Sequence, residues 1–245
     1  MKASSSVFVG TSGWSYDHWT GPFYPLDLAS DQRLKHYARQ LRSSEINNSF
    51  YHLPSEKAVE AWRKTVPIGF IFAAKASRYI THVKKLKDPQ TGVPRFLERI
   101  RLLGDRLGPI LFQLPPRWGF NVERLERFLA SLSHEYRYAF ELRDHSWLNP
   151  EAYELLRGYG AAFCIYELDG FLSPREVTTD FVYIRLHGPG GPYRGRYDPQ
   201  ALAGWAGAIS NWAKQGLRVY CYFDNDEAGH AVRNAIELQR MLQGI

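Results

Sequence analysis

Tyr183-Ile184-Arg185-Leu186-His187 alternates polar and apolar residues, so an extended chain presents Arg185 and His187 on one face and Ile184 and Leu186 on the other. Gly188 follows and ends the run. The same alternation recurs in Ala139-Phe140-Glu141-Leu142-Arg143, Leu111-Phe112-Gln113, Ala73-Ala74-Lys75 and Glu45-Ile46-Asn47-Asn48-Ser49. Strands that repeat this pattern, each followed by a helical segment, converge their polar faces on the mouth of a closed parallel barrel.

Working outward, eight strands are predicted: Val7 to Trp14, Ser44 to Phe50, Gly69 to Ser77, Pro109 to Leu114, Arg137 to Arg143, Ala162 to Leu168, Phe181 to Gly188 and Arg218 to Asn225. Helices are predicted at Asp31 to Leu41, Ser55 to Thr65, Pro94 to Asp105, Asn121 to Ser133, Pro150 to Tyr159, Pro199 to Lys214 and Asp226 to Leu242. Asn121 and Asp198 suit N-caps, Pro150 and Pro199 suit first helical positions, and Gly216 suits a C-terminal cap. After strand six, Asp169 to Glu176 is too short and irregular for a crossover helix, so that connection is degenerate. Gly10-Thr11-Ser12-Gly13 lacks the dinucleotide fingerprint of a doubly wound sheet. The expectation is therefore an α/β, TIM-type (β/α)8 barrel, one domain over residues 1–245.

Composition excludes a disordered or fibrous chain: 44% of the 245 residues are hydrophobic and 23% charged. A formal charge of +6 mildly favours anionic partners, and 15% aromatics supply stacking surfaces as well as core. Met1 to Ser6 is a short polar lead without a signal peptide's apolar region, and no apolar run is long enough to span a bilayer. Together with two cysteines lacking ligand spacing, this predicts a cytoplasmic protein with no membrane association. Cys164 and Cys221 fall two strands apart, roughly 9 to 10 Å and too far for a disulfide, so both are expected reduced.

A barrel interior does not accept unpartnered charge, so residues gathered at the strand ends either neutralise one another or meet a ligand. The predicted ligand set is Trp14, Tyr16, Glu45, Asn47, Tyr51, His82, Gln113, Arg143, Trp147, Arg185, Tyr193, Arg194, Arg196 and Asn225. Glu141 is assigned as general base, His187 as proton donor and Lys75 as the third catalytic group. The glycine-rich Gly188 to Tyr197 segment is read as an anion loop, and Trp14, Tyr16 and Tyr51 as stacking platforms. Glu45, Glu141 and His187 could converge on a divalent metal, although no ligand spacing marks one, and the cofactor is left unassigned.

Gly10 to Tyr16, Trp19 with Gly21 and Phe23-Tyr24-Pro25, Glu45 to Tyr51, Lys75 with Ile80-Thr81-His82, and Leu111 to Pro116 resemble motifs of the YecE-like family, domain of unknown function DUF72. Phe140 to Arg143 with Ser146-Trp147, Tyr183 to Gly188 and Tyr222 to Asp226 are similar to that family's later motifs. The resemblance spans nearly the whole chain and implies a barrel related to xylose isomerase and endonuclease IV, without an established activity. Phosphoester hydrolysis is the reaction class suggested by the second relationship, but this chain lacks an obvious His, Asp and Glu ligand set.

These residues support binding of, or action on, a phosphorylated ligand, a nucleotide or nucleic acid. The alternatives are a carbohydrate-active enzyme using Glu45 and Glu141, with Trp14 and Trp147 under the sugar, or a barrel that binds without turnover. The sequence assigns no oligomeric state.

Overall fold

In a computed structural model that describes residues 6–243, eight parallel strands close into a barrel: β1 Val7–Ser12, β2 Ser43–Ile46, β3 Ile71–Lys75, β4 Leu107–Gln113, β5 Tyr138–Glu141, β6 Ala162–Leu168, β7 Phe181–Leu186 and β8 Arg218–Phe223. Neighbours in sequence pair in space, and β8 pairs with β1 to close the ring. Helices α1 Arg33–Tyr37, α2 Glu56–Thr65, α3 Pro89–Ile100, α4 Val122–Ala130, α5 Pro150–Gly158, α6 Pro199–Lys214 and α7 His230–Gln243 lie between and after the strands. Most of the polar lead, residues 1–5, lies outside the described residues.

Alternation along each strand builds two separate apolar clusters. Ile46, Phe72, Phe112, Phe140, Ile184, Val219 and Phe223 face outward into the shell beneath the helices. Phe8, Ala73, Leu111, Ala139, Cys164, Tyr183, Tyr220 and Tyr222 fill the barrel itself. The interior is a packed core below a polar layer, as the period-two reading requires. Cys164 and Cys221 are both free and buried, and they belong to opposite clusters.

The expected caps form, Asn121 Oδ1 accepting from Arg124 N at 2.9 Å and Asp198 Oδ1 from Ala201 N at 2.7 Å, and Asn149 adds a third, its Oδ1 accepting from Ala152 N at 2.9 Å. Element boundaries shift from the sequence reading, and at four of them the local backbone gives the reason. β2 stops at Ile46 because Asn47 turns into αR conformation and starts a single 3-10 turn. The first helix is shorter, being preceded by a 3-10 turn over Ser30–Gln32. α3 begins at Pro89, which takes the first helical position expected for Pro94, and Gly104 at φ +55° breaks the turn that follows it. α7 begins at His230 because Ala228 at φ +51° interrupts the chain after β8.

No crossover helix joins β6 to β7. Phe171–Leu172 folds back antiparallel on the end of β6, and the returning chain supplies hydroxyls to that strand. Ser173 Oγ accepts from Tyr166 N at 2.9 Å and Thr178 Oγ1 from Phe163 N at 2.8 Å. Among the described residues, no helix is long and apolar enough to cross a membrane.

Candidate functional site

Arg185 projects from β7 into the barrel, where it is fully buried and bonds carboxylates from three other strands or strand ends. Its Nη2 donates to Glu45 Oε1 at 2.8 Å and Asp224 Oδ2 at 2.9 Å, and its Nη1 donates to Glu141 Oε2 at 2.7 Å. Glu45 also accepts from Ser12 Oγ at 2.6 Å and Tyr183 OH at 2.7 Å. Burial would raise the Glu141 and Asp224 carboxyls, yet the adjacent cations overcome it. The Arg143 and Arg185 guanidiniums hold Glu141 well below the usual range, and Arg185, with a bond from His187, brings Asp224 to about 2.

Above this layer sit His187, Arg143 and Tyr193. His187 Nε2 lies 3.3 Å from Arg185 Nη1 and 3.5 Å from Arg143 Nη2. Guanidinium nitrogens only donate, so Nε2 is the acceptor and the ring hydrogen sits on Nδ1, which lies 3.0 Å from Asp224 Oδ2. Arg143 Nε donates to Glu141 Oε1 at 2.5 Å and its Nη1 to Tyr193 OH at 3.3 Å. Tyr193, at φ +65°, folds over the mouth with its ring edge-on to His187.

Lys75 is the exception to this pairing. It ends β3, is 7% exposed, and rests Nζ 4.3 Å from the centre of the Phe50 ring. Among the described residues it has no ion-pair or hydrogen-bond partner, because the carboxylates of its layer are taken by Arg185. Burial, reinforced by Arg185, lowers its ammonium from 10.5 to about 8. His82 packs edge-on against Phe50, and burial with Lys75 and Arg78 nearby pulls it down to about 4. Gln113, 5% exposed, ends β4 level with Glu141 and has no side-chain partner among the described residues.

Beside the mouth lies a groove of about 560 Å³ lined by Trp14, Tyr16, Asn47, Tyr51 and Trp62. Trp14 packs edge-on to Trp62, Tyr51 is 68% exposed, and Asn47 Oδ1 is buried without a donor. Tyr16 OH donates to Ser12 O at 2.5 Å, linking the groove to the Glu45 network.

The structure thus gathers Lys75, His82, Gln113, Glu141, Arg143, Arg185, His187 and Tyr193 at the mouth with Glu45 beneath, and Trp14, Tyr16, Asn47 and Tyr51 at the groove. Four residues read as ligand contacts are elsewhere or otherwise engaged. Trp147 is core, its Nε1 donating to Trp118 O at 2.5 Å. Asn225 is buried, with Nδ2 bonded to Gly195 O and Asn234 Oδ1. Arg196 pairs with Glu237 on α7 at 3.1 Å, and Arg194 is exposed. Several of the loop's backbone donors are also spent: Gly188 N on Tyr197 OH, Gly190 N on Arg194 O and Gly195 N on the Glu227 carboxylate. Its glycines serve close chain approach, since a Cβ on Gly188 would lie 2.1 Å from Arg194 O.

Two alternatives and one assignment meet this geometry badly. The guanidinium of Arg185 fills the space where Glu45, Glu141 and His187 would share a metal, and among the described residues no three such ligands converge. It fills equally the gap between the two carboxylates of a glycosidase pair. Glu141, bonded on both oxygens and strongly depressed, is a weak base. Sequence reading missed Asp224 and chose its neighbour Asn225, although Tyr222-Phe223-Asp224 obeys the same alternation. Phe50 and Trp62 carried no sequence signal, since one leaves a turn and the other a helix.

A family model described as "Protein of unknown function DUF72" matches residues 8–244. The chain belongs to the DUF72 family. A DUF72 family protein from Thermotoga maritima MSB8 is similar to this DUF72 barrel with TM-score 0.88 and 31% identity, over 97% of this chain and 99% of that one. A DUF72 family protein from Enterococcus faecalis V583 superposes with TM-score 0.79 at 22% identity, covering 97% and 95% of the two chains. The UPF0759 protein YunF of Bacillus subtilis (strain 168) is 24% identical over 96% of this DUF72 chain and 94% of its own.

Proposed function

We propose that this DUF72 barrel binds a phosphate-bearing small molecule at its C-terminal mouth, the anion on Lys75 and Arg143 and a ring in the groove of Trp14 and Tyr51. The observation that carries the reading is the counter-charge left open: Lys75 is a buried cation with no carboxylate partner among the described residues. An anion arriving there gains a charge-assisted bond in a low-dielectric setting. Arg143 adds N–H groups at the rim, and the unpartnered Asn47 Oδ1 offers an acceptor for a ring N–H.

The recessed cations favour a nucleotide over a nucleic-acid duplex, whose backbone phosphates would not reach a lysine 7% exposed. Binding without turnover and hydrolysis of a phosphoester both begin from this contact. A cytoplasmic location, where nucleotides are abundant, suits the proposal.

The test is calorimetric titration with a nucleoside monophosphate and with the matching nucleoside at two salt concentrations. Lys75→Met and Arg143→Met should each weaken the nucleotide about tenfold or more, the loss of one charged hydrogen bond being about 1.5–3 kcal/mol. Raising salt should weaken the nucleotide and leave the nucleoside unchanged. Equal affinity for the two ligands would sink the reading.

A further inference from the structure

We propose that Lys75 is also a nucleophile, forming an imine with the aldehyde or ketone group of an anionic compound held at the barrel mouth. The geometry of its layer carries this. Asp224, Glu45 and Glu141 are the carboxylates near Lys75, yet all three bond the single guanidinium of Arg185. A lysine clamped by a carboxylate stays protonated and inert, whereas Nζ here faces the Phe50 ring and has no acceptor among the described residues. It ends a barrel strand, the position from which side chains meet substrate in this fold. The lowered ammonium, at about 8, leaves roughly a tenth of the amines neutral at pH 7.

The step balances without any other reactant. Neutral Nζ adds to the carbonyl carbon, the C=O pair moves to oxygen, and a proton passes from nitrogen to that oxygen to give a carbinolamine. The C–O bond then breaks, hydroxyl leaves with one further proton as water, and the nitrogen lone pair closes the C=N bond. Amine and carbonyl become imine and water. His187 and the Tyr193 hydroxyl, which bracket Arg143 at the same mouth, are the groups placed to relay protons. Arg143 would hold the anion. That anionic part rests on the reading above, while the carbonyl chemistry stands on Lys75 itself.

The experiment is reductive trapping on the intact protein, with pyridoxal 5′-phosphate as the phosphorylated aldehyde, glyceraldehyde as the neutral one, and borohydride as reductant. Site-resolved mass spectrometry then compares Lys75 with exposed Lys57, Lys87 and Lys214. Lys75 should label at least about tenfold faster than these at pH 7, with half-maximal rate near pH 8, and Lys75→Arg should lose that adduct. Labelling spread evenly over the exposed lysines, or a Lys75 rate still climbing at pH 10, overturns the proposal. Selective capture of both aldehydes with no phosphate preference keeps the imine and removes the anion site. Phosphate-protected binding with no Lys75 adduct does the reverse. Because labelling is read residue by residue in the unaltered protein, a poorly folding Lys75 variant does not blunt the test.

Discussion

At Arg185 a single side chain meets Glu45, Glu141 and Asp224, so the cost of burying four charges is met by one fan of guanidinium N–H groups. Such a network is a poor source of net stability but a severe liability once broken, because each orphaned carboxylate loses its water and its partner together. Arg185→Met should therefore lose about 3–5 kcal/mol in urea unfolding, or fail to fold. Adding Glu45→Gln and Glu141→Gln to that variant should restore part of the loss, since the penalty belongs to stranded charge and not to missing volume. Purely additive losses across the three substitutions would show that the guanidinium matters for packing alone. The same neutralisation explains why Lys75 stands apart, and it turns Glu141 from the expected base into a fixed counter-ion.

Among the elements, the β6-to-β7 connection shows how a barrel dispenses with one helix. β5 and β6 pair only over Ala139 to Phe140 and Ala162 to Phe163, and the N–H groups of Phe163 and Tyr166 turn to side-chain hydroxyls for acceptors. Ser173 and Thr178 provide them, and Thr178 Oγ1 in turn donates to Ala161 O at 2.6 Å. Thr178→Val keeps the shape but strands the buried Phe163 N–H, so a loss of about 1–3 kcal/mol in urea unfolding is expected. Thr178→Ser should recover most of it, and a valine variant as stable as the parent would remove the hydroxyl from the explanation. The degenerate connection was legible because Asp169 to Glu176 offers no helical period. The two hydroxyl contacts were not, because they depend on how the returning chain lies along β6, which the sequence of that strand does not record. Helix starts were legible where Asn or Asp precedes a first turn, as at Asn149 and Asp198, and blurred at α3, where either of two prolines fits the first position.

For the whole molecule, period-two alternation placed Glu45, Lys75, Gln113, Glu141, Arg185 and His187 correctly in the interior, since strand geometry alone dictates that face. It failed for Asn47, and like Asn225 and Trp147, which were read as ligand contacts on other grounds, that residue lies past a strand end where turns and loop packing set direction. It also could not tell paired charge from open charge, and that distinction governs how stability responds to pH. Glu141, held well below its ordinary value, and Asp224, at about 2, contribute stability that is present above the ordinary carboxylate range and lost as pH falls through it towards 2. Lys75 acts at the other end with the opposite slope. Its folded value of about 8 lies below the ordinary 10.5, so between these limits the unfolded chain holds the extra proton and stability rises with pH. Below pH 8 the full penalty of the buried ammonium remains. The parent protein should accordingly gain about 1–3 kcal/mol between pH 8 and pH 10, before buried tyrosines with raised values begin to oppose it. Lys75→Met should be the more stable protein at pH 7 and should lack that alkaline rise, while keeping the acid limb unchanged. Urea unfolding at half-unit steps from pH 3 to pH 10 reads both limbs. An alkaline rise that survives in Lys75→Met would place the uncompensated charge elsewhere, and would take from the mouth the open cation on which its ligand chemistry depends.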